Sequence, residues 1–167
     1  IVIQYIQIGE TMAEKLNVLT LDVETTHKTK ESGGTTALPY FGNTLVSIGY
    51  KWLGEDEVGY DFVSHSDNRA FVEDGWFETM QDTLSSADVI VGQNCKFDLT
   101  WLRACGFTYN RHVYDTMVAE YILAKAKRWS LSLDSLAKRY GVTQKEKDLV
   151  APYLKDGKTF YDIPYEI

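Results

Sequence analysis

Residues 19–26 have the sequence LTLDVETT, which places two acids inside a short apolar segment. The run from Asn17 to Val23 is rich in branched residues and is typical of a buried strand. Successive side chains of a strand point to opposite faces, so Asp22 and Glu24 share one face. Adjacent carboxylates disfavour each other's charge, and a divalent cation such as Mg²⁺ resolves that conflict because it prefers oxygen ligands. On its own the stretch leaves two interpretations open: a metal site, or a strand end that carries two solvated acids, as pairs of acids more often do.

A second segment, residues 89–98 with the sequence VIVGQNCKFD, is typical of a strand, a turn and the start of a helix. This pattern puts Asp98 on the first helical turn, where its carboxylate can reach a metal held by a neighbouring strand. Asn94 can cap that helix or contact a substrate. Local capping by both residues is the alternative.

The rest of the chain predicts an α/β fold with a mixed five-stranded sheet flanked by helices. Residues 45–52 and 58–63 alternate like strands and predict an antiparallel meander with the first strand, and residues 26–43 predict an irregular loop. Helix or strand patterns then follow along the chain. They predict a helix over 68–87, a strand over 88–92, a helix over 97–105, a strand over 112–114, a helix capped by Asp115 that runs to Leu123, and a helix capped by Ser132 that ends before Gly141.

Composition narrows the possible functions. The 167 residues suffice for one domain with a core, and their net charge is −7. This acidity argues against a protein that holds nucleic acid by a basic surface, but it suits a site where carboxylate-bound cations meet phosphates. No apolar run is long enough to span a bilayer, so no membrane partner is expected. The glycine-rich phosphate-binding motifs are absent from the sequence, which disfavours a generic nucleotide-binding domain.

Four blocks of sequence together resemble one family, the DEDD superfamily of 3′→5′ exonucleases. The resemblance is strongest to the proofreading domain of family A (Pol I-like) DNA polymerases. The blocks occur in the family's order, and they are Asp22-Val23-Glu24-Thr25, Asn94-x-Lys96-Phe97-Asp98, Tyr114-Asp115-Thr116-Met117 with Glu120-Tyr121-Ile122-Leu123, and Ser132-Leu133-x-x-Leu136-Ala137-x-x-Tyr140.

The resemblance implies an RNase H-like (DnaQ-like exonuclease) fold, two divalent metal ions, Mg²⁺ or Mn²⁺, and hydrolysis at the 3′ end of single-stranded DNA. It implies Asp22, Glu24 and Asp98 as catalytic metal ligands. Thr25 and Asn94 would contact the substrate, and Asp115 would support the site as a helix cap. A covalently linked polymerase domain and the cytoplasm of a bacterial or phage-infected cell are the implied partner and location.

The family's third motif, Tyr-x-x-x-Asp or His-x-x-x-x-Asp, is absent from the 167 residues. We therefore expect residues 1–167 to be a single exonuclease domain that is incomplete at its C-terminus, with the fourth carboxylate beyond Ile167 and little activity without it. Two alternatives stay open. One is a ribonuclease of the same superfamily that acts on RNA 3′ ends, and the other is a catalytically silent scaffold domain, against which the three acids argue.

Overall fold

The computed structural model describes residues 16–30, 33–65, 72–125, 127–142 and 149–164. The strands are β1 (Val18–Thr25), β2 (Lys28–Thr29), β3 (Thr35–Thr36), β4 (Leu45–Trp52), β5 (Gly59–Phe62), β6 (Val89–Gly92) and β7 (His112–Asp115). The α-helices are α1 (Trp76–Ser86), α2 (Cys95–Ala104), α3 (Thr116–Leu123), α4 (Leu133–Tyr140) and α5 (Ala151–Lys155). Two short 3₁₀ helices span Pro39–Phe41 and Phe160–Asp162.

The main sheet has the strand order β5-β4-β1-β6-β7. β4 is antiparallel to both β1 and β5, which confirms the predicted meander, whereas β6 pairs parallel to β1 and β7 parallel to β6. Helices α1 and α2 lie in the connections that lead to these parallel strands, as parallel pairing requires. The mixed, helix-flanked five-stranded sheet of the α/β class is therefore confirmed.

The two faces of β1 have different roles. Leu19, Leu21 and Val23 are buried in the main core, where they meet side chains of α1 and α2 such as Leu84 and Trp101. On the opposite face Val18 packs in a smaller cluster. Asp22 and Glu24 share that second face, so the burial of β1 positions its two acids away from the main core.

The starts of two helices differ from the sequence prediction. Helix α1 begins at Trp76, directly after Gly75, whose φ of 84° is left-handed and therefore not helical. The predicted helical positions 68–71 lie outside the described residues, and the helix over 72–75 was wrong. Helix α2 begins at Cys95, two residues before the predicted start.

The described part of the 26–43 segment is more ordered than an irregular loop. β2 and β3 pair as a two-stranded sheet, and Asn43 Nδ2 donates to the carbonyls of Thr36 and Leu38, both at 2.9 Å. Trp101 Nε1 also donates to the Ala37 carbonyl at 2.9 Å, which ties the segment to α2. Elsewhere, no helix among the described residues is long and apolar enough to cross a membrane.

Candidate active site

The two acids of β1 lie near the C-terminal end of that strand. Asp22 is exposed and pairs across the sheet with Gly49, while Glu24 is half-buried and pairs with Ser47. The register with β4 shifts between Glu24 and Thr25, so the strand pairing becomes irregular directly after the second acid. Asp22 and Glu24 therefore share a face beside the ends of the parallel strands, where α/β sheets commonly bind ligands.

Asp98 reaches this strand end from the first turn of α2. Its side chain is only 4 % exposed, and Oδ1 accepts a hydrogen bond from the Val23 backbone N–H at 3.1 Å. That N–H belongs to the residue between Asp22 and Glu24. The hydrogen bond therefore fixes the helical carboxylate against the part of β1 that carries the two acids.

Gly92 makes this close approach possible. A Cβ at residue 92 would lie 3.0 Å from the Leu21 carbonyl oxygen and 3.0 Å from Cys95 Sγ, with Asp98 Oδ2 at 3.9 Å. Any side chain there would push the start of α2 away from β1 and displace Asp98. A glycine at the end of β6 is thus a requirement of the site geometry.

Burial and the charge of Asp22 control the protonation of Asp98. Burial, followed by the charge of the nearby Asp22 carboxylate, raises the pKa of Asp98 to about 7, against the lowering effect of the hydrogen bond from the Val23 N–H. Burial, together with Asp115 and Asp98, raises the pKa of the Cys95 thiol to about 12, so this thiol stays protonated at neutral pH in the metal-free protein.

The carboxylates fit a divalent cation in their chemistry. Asp22 and Asp98 are close enough to influence each other's charge, and a cation between them would relieve that repulsion with the oxygen ligands it prefers. However, no group of three or more His, Cys, Asp or Glu residues within the described ranges comes close enough to hold a metal ion. The structure thus brings Asp98 and Asp22 together, and Glu24 takes the neighbouring position on the same face.

Asp115 connects two helix N-termini. Its carboxylate accepts from Met117 N at 2.9 Å and from Val118 N at 3.4 Å, which confirms the predicted cap of α3. The same carboxylate accepts from Asn94 N at 3.0 Å and Cys95 N at 2.9 Å. Asp115 therefore also holds the start of α2, the helix that carries Asp98, and this agrees with a supporting role.

The two predicted substrate-binding residues differ in accessibility. Asn94 is exposed in a left-handed conformation (φ 62°), and its side chain makes no capping hydrogen bond. Capping was therefore wrong for the Asn94 side chain, and substrate contact stays a prediction. Thr25 is only 7 % exposed, so it offers a substrate little surface.

Sequence reasoning missed two residues on the face of the two acids. Ser47 pairs with Glu24, and its Oγ lies 2.8 Å from Tyr60 Oη on β5. The alternation of β4 could have placed Ser47 on this face, but only the pairing with β5 brings Tyr60 there.

Residues 10–156 match the 3′-5′ exonuclease family. The chain belongs to that family. It is thus a nuclease domain, and a hydrolase by the chemistry of its family. No curated protein matches the sequence significantly.

Solved nuclease structures share the fold. A structure described as the apo form of a nuclease has a TM-score of 0.57 and 15 % identity, covering 84 % of this chain and 59 % of its own. Brucella melitensis NrnC with bound Mg²⁺ has a TM-score of 0.55 and 13 % identity, covering 83 % and 60 %, respectively. A second structure of Brucella melitensis NrnC has a TM-score of 0.53 and 14 % identity, covering 79 % of this chain and 56 % of its own. The chain spans less than two thirds of each of these proteins, and the similarity supports the RNase H-like exonuclease fold.

Proposed function

We propose that this chain is the proofreading exonuclease domain of a DNA polymerase and removes nucleotides from DNA 3′ ends by two-metal-ion hydrolysis. The observation that carries the proposal is the buried Asp98 carboxylate, held beside Asp22 by the Val23 N–H at 3.1 Å. Its burial and proximity to a second acid cost stability in the metal-free protein. A bound cation would offset this loss of stability, so the site is suited to binding one.

Each acid has a distinct task in this proposal. Asp22 and Asp98 would hold one ion jointly, and Glu24, on the same face as Asp22, would contribute to the other. When bound, the ions lower the pKa of the attacking water and stabilise the leaving 3′ oxygen of the phosphodiester. Asp115 acts through the backbone N–H groups of Asn94 and Cys95, which keep α2 and hence Asp98 in place. A further carboxylate completes the metal site, as the family's third motif would provide.

The exposed Asn94 side chain stands one turn before Asp98 and is proposed to contact the substrate strand. Thr25 is buried at the end of β1 beside Glu24. We propose that only a small part of its side chain contacts the terminal nucleotide. We further propose that a polymerase domain linked to this chain delivers the single-stranded 3′ end, and that the protein works in the cytoplasm of a bacterial or phage-infected cell.

The substrate can be tested with the domain extended by a C-terminal segment that carries the family's third motif, incubated with Mg²⁺ or Mn²⁺ and 5′-labelled single-stranded DNA or RNA of the same sequence. We expect a ladder that shortens from the 3′ end, with DNA degraded faster than RNA. Faster degradation of RNA would replace the proposal by a ribonuclease of the same family. Absence of cleavage for both polymers with either metal would contradict an active exonuclease and favour a scaffold role.

A further inference from the structure

Tyr60 lies on the same sheet face as Asp22, two strands away. Asp22 pairs with Gly49 on β4, and Gly49 pairs in turn with Tyr60 on β5. Directly paired residues of antiparallel strands put their side chains on one face. Because neighbouring strands lie about 4.8 Å apart, the Cα atoms of Asp22 and Tyr60 are separated by roughly 10 Å. A tyrosine side chain spans much of that distance.

The ring of Tyr60 covers the space that Gly49 leaves open. A Cβ at residue 49 would lie 3.4 Å from Tyr60 Cδ2 and 3.6 Å from Cε2. The aromatic ring thus lies over the glycine backbone, between β5 and the strand that carries the acids. Gly49 is the residue of β4 that lies between Tyr60 and Asp22, so no side chain of that strand separates the ring from Asp22.

Two contacts hold the ring in this position. Tyr60 Oη lies 2.8 Å from Ser47 Oγ, and Ser47 is only 1 % exposed. Phe62 packs against the ring edge to face, with centroids 5.0 Å apart and an interplanar angle of 78°. The hydroxyl group is therefore engaged inside the protein and the ring orientation is fixed.

Despite these contacts, Tyr60 is 51 % exposed. Burial of its hydroxyl end raises the pKa of Tyr60, and the charges of Glu24 and Asp22 raise it as well, against the opposing hydrogen bond from Ser47. The side chain consequently stays a neutral phenol at physiological pH. An uncharged aromatic surface beside the carboxylates does not repel a phosphate-bearing strand.

We propose that Tyr60 binds the 3′-terminal nucleotide of the substrate by stacking its exposed ring on the terminal base. The inference rests on the proposed function, because it places the scissile phosphodiester at Asp22 and Asp98. Base stacking on fixed aromatic rings is how proteins hold single strands without reading sequence. The ring, rather than the hydroxyl group, carries the contact, since the hydroxyl already bonds to Ser47.

The test combines variants of the domain, extended to carry the family's third motif, with two DNA substrates that differ only at the 3′ end, one ending in a normal nucleotide and the other in an abasic residue. Stacking contributes on the order of tenfold in binding per base, so Tyr60→Ala should lower kcat/KM about tenfold on the normal end, chiefly through KM. The same variant should barely change cleavage of the abasic end. Tyr60→Phe keeps the ring and should stay within roughly twofold of the unsubstituted protein on both substrates.

Tyr121→Ala is the matched control, because Tyr121 is 69 % exposed on α3, which follows the opposite edge strand β7. It should change neither substrate's cleavage. Thermal unfolding of each variant reports whether the fold is retained. An equal loss on both substrates by Tyr60→Ala would overturn the stacking contact, as would a Tyr60→Phe defect equal to that of Tyr60→Ala.

Failure of the proposed function would look different. In that case the unsubstituted domain, extended to carry the third motif, would cleave neither substrate with Mg²⁺ or Mn²⁺. Anisotropy of the same oligonucleotides, labelled with fluorescein at the 5′ end, would then apply the identical comparison to binding. The inference would be supported if Tyr60→Ala, but not Tyr60→Phe, bound the normal end more weakly. Unchanged binding of the normal end by Tyr60→Ala would overturn it.

Discussion

Two buried carboxylates in this domain lie in opposite environments. Glu120 on α3 is 3 % exposed and forms an ion pair with Arg139 of α4, and Tyr140 Oη donates to its second oxygen at 2.6 Å. Asp98 is 4 % exposed but lies next to another acid, Asp22. Glu120 has a cation partner within the protein, whereas no lysine or arginine among the described residues forms an ion pair with Asp98.

This difference separates a structural acid from a functional one. The Glu120 network also orders the α3–α4 connection, because Arg139 Nη2 donates to the Ser130 carbonyl at 3.2 Å and its guanidinium lies 4.6 Å from the Trp129 ring centroid. Such an arrangement holds two helices together. Asp98 joins α2 to β1 through the Val23 N–H and forms no ion pair with a lysine or arginine among the described residues, and a bound cation would remove its repulsion with Asp22.

The largest expected effect is on catalysis. Asp98→Asn keeps the size of the side chain and the acceptor for the Val23 N–H, but it removes the charge that would bind a metal. In the domain extended to carry the third motif, we expect cleavage of single-stranded DNA to fall by about a thousandfold, the scale of losing a principal electrostatic group. Glu120→Gln is the matched comparison, because it neutralises an equally buried acid outside the site. Equal losses in the two variants, with both folded, would contradict the distinction.

The next effect concerns stability. Arg139→Met removes the cation and leaves Glu120 buried next to Tyr140 alone. Breaking a buried pair from one side costs about 3–5 kcal/mol, and the partial exposure of Arg139 reduces our expectation to about 2 kcal/mol. Urea unfolding measures this loss, and the Glu120→Met/Arg139→Met double variant should recover much of it. An unchanged midpoint for Arg139→Met would show that the ion pair does not stabilise α3 against α4.

In the metal-free protein, the charge of Asp98 should lower the free energy of unfolding, whereas the ion pair of Glu120 raises it. Its pKa of about 7 in the folded state lies above the ordinary value of 3.8, so the folded state binds more protons than the unfolded state at pH values between these limits. The stability conferred by Asp98 is thus complete below pH 4 and is lost as the pH rises through 7. The loss is at most about 4 kcal/mol, at 1.36 kcal/mol per pKa unit.

Asp98→Asn should therefore flatten the pH dependence of unfolding and, at pH 8 with a chelator present, should be more stable than the unsubstituted protein. Denaturant unfolding from pH 4 to pH 8 checks the expectation. A parallel pH profile for the two proteins would show that Asp98 keeps an ordinary pKa and that its burial carries no electrostatic cost.

Sequence periodicity predicted most of the sheet and part of the site, for identifiable reasons. The alternation in residues 19–26 places Asp22 and Glu24 on one face, and the strand-turn-helix pattern ending at Asp98 places that residue on a first helical turn. Both inferences need only local geometry. The contact between Asp98 and the Val23 N–H was beyond such reasoning, because it depends on the close approach that Gly92 allows between two elements.

Long-range pairs explain the other omissions. Tyr60 lies beside the acids because of two strand pairings, and the predicted meander did not give the register of either one. Glu120 and Arg139 meet across two helices, 19 positions apart, through long side chains with many alternatives. The start of α1 was misplaced because apolar residues before Trp76 continued a helical spacing that Gly75 ends.

The proposed cation site at Asp22 and Asp98 is tested most directly by a Mn²⁺ titration of thermal unfolding for the unsubstituted protein and for Asp22→Ala. If Asp22 and Asp98 hold a cation, Mn²⁺ at ten times its dissociation constant should stabilise the unsubstituted protein by about 1.4 kcal/mol, and the midpoint should rise. Asp22→Ala should remain folded, since it loses a repulsion, and its midpoint should not respond to the metal. An equal rise in both proteins would contradict a metal site at this carboxylate pair.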